Sequence, residues 1–315
     1  MVPDIEPALS PEVIAKVREE QRLFGDNGIE PGRLDDLMIG AIDSHVHANP
    51  DPYRTRSGDQ IEFAIEACQA RMAAVLFKCH QVPTAQTAPL VQRVVDEWAD
   101  AHDVPRLRVF GGVALNYSVG GINPEAVEVA ARLGARVVWA PTVDSRHYRL
   151  LKGLTGGIDV LDDRGRVVDA MKDVLCLVKE RDMVLAMSCL GVGERFALID
   201  EAVAIGVTRI NVVHPNALSS LMTVEQMKEA ADKGAQIELT CGGFGLAPFD
   251  WELFMRAYET LGATHIVAAT DAGMVTSFRP VAAMRQFIAR MLARGIPEDD
   301  VILMTKKNPA RLLYP

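Results

Sequence analysis

Eight short runs rich in Val, Ile and Ala alternate along this chain with amphipathic stretches long enough to be helices. That alternation restricts the fold more than any other feature. The runs are Ile39–Asp43, Ala74–Cys79, Arg108–Leu115, Arg136–Pro141, Val184–Ser188, Arg209–Val213, Gln236–Thr240 and His265–Thr270. Helical periodicity is clearest in Ile61–Met72, Pro124–Leu133, Val168–Arg181 and Val281–Arg294. Gly134, Gly206, Gly234 and Gly262 each separate a helical stretch from the next run, the signal of a left-handed helix stop. An open doubly wound sheet has fewer strands and carries a phosphate loop after the first. No GxGxxG or GxxxxGK[ST] spacing occurs here, so Gly111-Gly112, Gly120-Gly121 and the cluster Gly242, Gly243, Gly245 read as turn residues. The expectation is an α/β fold, a single (β/α)8 TIM barrel over residues 39–315, close to the usual size of about 250 residues.

Residues 1–38 stand outside that count and are expected to form a short N-terminal helical extension, with a helix from Ser10 to about Phe24 followed by a turn at Gly25–Gly28. It either closes the barrel bottom or forms a subunit contact. Residues 149–167, with turn signals around an apolar pair, exceed a usual βα loop and predict a small hairpin over the barrel mouth.

Charge and cysteine usage narrow the partners. With 42 acidic against 33 basic residues, net −9, and no basic cluster, the chain lacks a footprint for nucleic acid or an anionic membrane. A small-molecule substrate and a homo-oligomer are expected. Cys68, Cys79, Cys176, Cys189 and Cys241 are odd in number and unpaired in spacing, which suits reduced thiols. The start MVPDIEPALS lacks the basic, then apolar, pattern of a signal peptide, and the cytoplasm is the expected compartment.

The chemistry gathers where predicted strands run out. Strand alternation puts Asp43, His45 and His47 on one face, so two imidazoles can meet one cation. By the same parity Lys78 and His80 share a face at the end of the second strand, with Cys79 opposite. Lys78 can snorkel to the rim, bind a substrate carboxylate, or be carbamylated into an anionic metal ligand. His214 closes the sixth strand and Asp271 the eighth. Together they supply nitrogen and oxygen ligands for a divalent ion, and a carboxylate able to take a proton from activated water. Arg54 and Arg56 either fork onto a substrate anion or are solvated; Asp144 and His147 either contact substrate or belong to an ordinary turn. His102 and His265, on the N-terminal sides of strands, read as structural.

The order HxH after the first strand, His214 after the sixth, Asp271 after the eighth and a closing Asn308-Pro309-Ala310-Arg311 resembles the amidohydrolase superfamily of metal-dependent barrels. More narrowly, the motifs at Ile42–Asp51, Lys78–Thr84, Asn116–Pro124 and Pro141–Asp144 are similar to an uncharacterised amidohydrolase-like group with an IDxHVHxxPD opening. The resemblance implies a metal-binding histidine after the fifth strand, where this chain has Cys189, either a thiolate ligand or a small buried thiol. The fourth strand also lacks the lysine or glutamate bridge common in that superfamily, which implies one ion, expected to be Zn2+, or two if Lys78 is carbamylated.

The resulting expectation is a metal-dependent hydrolase cleaving an amide, cyclic amide or lactone of a small anionic molecule. His45, His47, His214 and Asp271 hold the metal, joined by Lys78 if it is carbamylated and by Cys189 if its thiolate binds, with Asp271 and His214 catalytic, and Lys78, His80, Arg54, Arg56, Asp144 and His147 facing substrate. A non-oxidative decarboxylase on the same barrel and a degenerate ligand-binding barrel are the alternatives.

Overall fold

The computed structural model describes residues 29–244 and 249–315. The expected helix Ser10–Phe24, the turn Gly25–Gly28 and Gly245 lie outside them. Nine strands follow one another: β1 Ile42–Val46, β2 Ala74–Phe77, β3 Arg108–Phe110, β4 Gly112–Ala114, β5 Val137–Trp139, β6 Val184–Met187, β7 Ile210–Val213, β8 Gln236–Thr240 and β9 Ile266–Ala269. All pair in parallel and in chain order, β1 to β3 and β4 to β9. β3 and β4 are the two halves of the third expected strand, so the eight barrel positions stand.

The ring closes between its first and last strands. The His47 amide donates to Ala272 O at 2.8 Å and the Asp271 amide to His45 O at 2.9 Å. The fold is an α/β barrel of the expected (β/α)8 kind.

Gly111 and Gly112 are not turn residues. They sit at the break inside the third strand, where a Cβ on Gly111 would lie 2.5 Å from Thr84 O and one on Gly112 2.2 Å from Val137 O. Backbone passes too close there for any side chain. The four expected helix-stop glycines all take positive φ, for example 96° at Gly206.

Alternation along each strand divides the core in two. One cluster joins the outer strand faces to the helices, for instance Val75, Val138, Leu185 and Ile237 with Phe63, Val127 and Phe287. The other fills the barrel with Leu76, Phe110, Trp139, Ala186, Val213 and Val267, and Leu312 and Leu313 from the last helix pack into it. The helix Pro31–Met38 buries Leu34, Leu37 and Met38, and ion pairs Arg33–Glu298 and Asp35–Arg285 tie it to the C-terminal part of the barrel. Among the described residues no helix is long and apolar enough to cross a membrane.

The excursion over the mouth differs from the expected hairpin. It begins with a helix, Arg146–Leu151, and its antiparallel pairing shrinks to a single bridge, Leu161 with Val167. Ser145 caps that helix through the Tyr148 amide, and so aims Tyr148 at the cavity.

Candidate metal centre

The seam between β1 and β9 brings together side chains from opposite ends of the barrel sequence, His45 and His47 with Asp271. His45 Nε2 lies 3.1 Å and His47 Nε2 3.3 Å from the same oxygen, Asp271 Oδ1. The potential ligand atoms of these three residues lie within 4.8 Å of one another, the one such group among the described residues. His214 stands next to it, its ring centroid 5.7 Å from that of His45, and the His80 ring stacks on His47 at 5.2 Å. Neither His214 nor Cys189 belongs to the close group.

Asp43 does not share this face with the histidines. A register shift between Asp43 and Val46 breaks strict alternation, and Asp43 turns to Thr270, taking its hydroxyl at 2.6 Å and its amide at 3.1 Å. Burial pushes the Asp43 carboxyl up to about 7, against those hydrogen bonds.

Above the group opens a cavity of about 240 Å3. Lys78, His80, Cys189 and His214 line it, and Cys79 points away, as strand parity requires. Lys78 is 1% exposed. Its Nζ lies 3.3 Å from His45 Nε2 and 5.7 Å from the centre of the Trp139 ring. Burial pulls the Lys78 ammonium down, and Asp271, Cys189 and Glu238 oppose it. Burial, reinforced by Lys78, holds His80 well below the ordinary histidine range and His214 at about 3, so both are neutral imidazoles. His80 is further fixed by Thr142 Oγ1 at 2.8 Å. Asp271 shows the opposite balance: burial works against its charge, but His45 and His47 outweigh it and hold the carboxyl well below the usual range.

Cys189, His214 and Asp271 all take left-handed backbone, with φ of 58°, 37° and 52°. Such conformations cost about 1–2 kcal/mol each outside glycine and concentrate at functional sites. Burial pushes the Cys189 thiol up, against the nearby Lys78 charge.

The two arginines separate. Arg56 lines the cavity, but its Nε and Nη2 donate to Asp51 Oδ2 at 2.9 and 2.7 Å, which commits its charge to that carboxylate. Asp51 Oδ1 also takes the backbone amides of Tyr53 and Arg54, fixing the loop that carries Arg54 to the cavity wall. Asp144 and His147 do not line the cavity: Asp144 takes the Tyr117 amide at 2.9 Å, and His147 lies against Gly191, one residue before the lining Tyr148.

Sequence reasoning passed over Tyr148, Ser219, Met274 and the buried Glu238. Glu238 had a signal: Gln236, Glu238 and Thr240 alternate with Ile237 and Leu239 on one strand, which marks a polar inner face.

The residues fit a divalent cation. Two imidazole nitrogens and a carboxylate oxygen converge, a hard-to-borderline donor set suited to such an ion. Nδ1 of both His47 and His214 is buried without a hydrogen-bond partner, a state uncommon for polar atoms unless something else engages the ring.

The model of the "Family of unknown function (DUF6282)" matches residues 40–238, a span that carries His45, His47, Lys78, His214 and Glu238. No curated protein matches the chain. Among solved structures, an amidohydrolase from Pseudomonas aeruginosa is similar at 14% identity and TM-score 0.61, covering 90% of this chain and 98% of that one. The "probable dipeptidase PvdM" of the same organism is similar at 11% identity and TM-score 0.60, over 96% and 98% of the two chains. An amidohydrolase from Burkholderia multivorans follows at 12% identity and TM-score 0.53, over 87% and 98%. Identity this low speaks for the fold alone. The chain belongs to the DUF6282 family.

Proposed function

We propose that this DUF6282 member is a metal-dependent hydrolase that cleaves an amide, cyclic amide or lactone bond in a small anionic substrate. One observation carries the reading: the ligand atoms of His45, His47 and Asp271 converge at the base of a cavity on the C-terminal side of the barrel. The likeness to barrels named amidohydrolase agrees with it.

His45, His47 and Asp271 would hold one divalent ion, zinc being the ion their donor set suits. A bound ion of this kind supplies Lewis-acid polarisation of a carbonyl and acidifies water. Asp271, its carboxyl held well below the usual range, takes the proton of the attacking water at a carboxylate oxygen and returns it to the departing nitrogen or oxygen. His214 and His80, both neutral, can each donate an N–H to a developing oxyanion without competing for the water proton. Lys78 and Arg54 orient the substrate's negative group, and Arg56 serves that loop through Asp51 rather than the substrate.

A second reading, non-oxidative decarboxylation, is favoured by the placement of Lys78 Nζ beside His45 Nε2, a cation where a substrate carboxylate can lie against the centre. Release of carbon dioxide without uptake of water into product separates the two.

The test is metal analysis together with assays on carboxylate-bearing amides, cyclic amides and lactones, for the natural protein and for Asp271→Asn. The expected result is about one bound ion and a loss of roughly 10^2–10^4 in kcat for the variant. Turnover that survives full metal removal, or an unchanged kcat in Asp271→Asn, overturns the reading. Ligand binding with neither metal nor turnover identifies a degenerate barrel instead.

A further inference from the structure

Glu238 rises from the middle of β8 into the barrel, with 1% of the residue exposed. A carboxylate buried this deeply needs its lone pairs answered. Its Oε2 accepts from Ser44 Oγ at 3.0 Å and from Asn211 Nδ2 at 2.9 Å, and its Oε1 lies 2.8 Å from His45 Nδ1. Three strands, β1, β7 and β8, are thereby tied to one side chain.

The chemistry of the third contact decides something the other two do not. The Lys78 ammonium, which has no lone pair and can only donate, lies 3.3 Å from His45 Nε2, so Nε2 accepts there and the ring hydrogen belongs to Nδ1, in the contact with Glu238. In a neutral imidazole that leaves Nε2 as a bare lone pair. Nε2 is the atom that faces Asp271 Oδ1 at 3.1 Å and Lys78 Nζ at 3.3 Å. With the other tautomer, Nε2–H would donate to Asp271, and the two ligands would satisfy each other and leave nothing for a cation. With the tautomer that Glu238 enforces, two acceptors face one another at 3.1 Å. That arrangement is repulsive unless positive charge lies between or beside them. Lys78 supplies such charge from one side.

We infer that Glu238 is a positioning residue of the metal centre: by holding the Nδ1 proton of His45 it keeps Nε2 open as a metal donor. The inference rests on the proposed metal-centre reading and extends it to a residue that lines no part of the cavity. The negative charge behind the ring also strengthens the imidazole as a donor, the effect carboxylates have on metal-bound histidines generally. Removing such an outer partner typically costs 10–100-fold in metal affinity.

Two variants separate the charge from the hydrogen bond. In Glu238→Gln the amide oxygen can still accept from His45, and Asn211 can turn its amide, because its Oδ1 has no partner to lose. The proton stays on Nδ1 and only the charge disappears. In Glu238→Met both disappear. Zinc alone is titrated into each metal-free protein by calorimetry, and the His45 ring nitrogens of the metal-free proteins are read by 15N NMR. The expected result is zinc binding weakened by about 10-fold in the Gln variant and about 100-fold in the Met variant. The natural protein should show protonated Nδ1 and bare Nε2, and the Met variant a proton moved to Nε2. Zinc affinities equal to the natural protein's in both variants overturn the inference, as does a natural His45 protonated at Nε2. The ring nitrogens of the natural protein decide the matter even where a variant does not fold. A flat zinc titration of the natural protein overturns this inference and the metal-centre reading together, whereas equal binding by all three proteins overturns this inference alone.

Discussion

Arg56 and Asp51 expose only 1% and 2% of their side chains. In such a pair the cost of stripping water from two charges roughly cancels their attraction, so the pair adds little net stability. Loss of one partner is another matter, because it leaves a lone charge in the interior. Arg56→Ala should therefore destabilise the protein by about 3–5 kcal/mol, read by denaturant unfolding. The double variant Asp51→Ala/Arg56→Ala should lose clearly less than the sum of the single losses. Additive losses would show that the two side chains act separately. This pair also marks where residue-level reading of the sequence stops. Strand parity found Lys78 and His80, because period-two alternation is a local property of backbone. Arg54 and Arg56 have the same parity, yet Asp51, three and five residues away, anchors the backbone of one and the side chain of the other. Only the path of the loop decides that division.

At the level of elements, the centre depends on how closely β1 and the segment after β9 approach. Gly273 has φ 122°, and a Cβ there would lie 1.7 Å from His47 O and 2.6 Å from His47 C. No rotamer relieves a clash with backbone, so Gly273→Ala must push the end of β1 away from Asp271. The expected outcome is a loss of zinc affinity of at least about 10-fold, as for other disturbed ligand geometry, with a lowered melting temperature. Gly134→Ala is the comparison: its φ is also positive, 87°, but nothing lies within 4 Å of the added carbon. It should cost about 1–2 kcal/mol of backbone strain and leave zinc binding unchanged. If the two variants bind zinc equally well, the seam does not set the ligand geometry. The sequence carried the elements themselves plainly, since eight apolar runs and four glycine stops need only local periodicity. It did not carry the break at Gly111-Gly112 or the shift in β1, because both arise from neighbouring strands: Val137 crowds one, and the pairing of β1 with β2 slips at the other. The alternation of Gln236, Glu238 and Thr240 was legible as a polar inner face, but the sequence holds no trace of which histidine that face would meet.

On the scale of the whole molecule, two facts about the barrel converge on the metal. The chain carries net charge −9, so attraction of the proposed anionic substrate would have to come from Lys78, Arg54 and the proposed ion at short range, not from the field of the protein. The ion's proposed ligands also stand on both sides of the closing seam, His45 on β1 with His47 directly after it, and Asp271 after β9. Backbone pairing there is thin, a single parallel bridge between Val46 and Ala272 with a few hydrogen bonds. An ion bound only by the closed ring stabilises the folded state by mass action, about 2.7 kcal/mol at a free concentration one hundred times its Kd. With an unfolding entropy of about 2.1 cal/mol/K per residue, the 315 residues give about 0.7 kcal/mol/K. Zinc at that level should therefore raise the melting temperature by about 4 °C over the metal-free protein. Asp271→Asn, which keeps the side-chain shape but lacks the charge, should show a smaller rise at the same zinc concentration because its Kd is larger. A melting temperature indifferent to zinc in the natural protein would mean that the seam closes without the ion, and that the convergence of His45, His47 and Asp271 serves something other than metal.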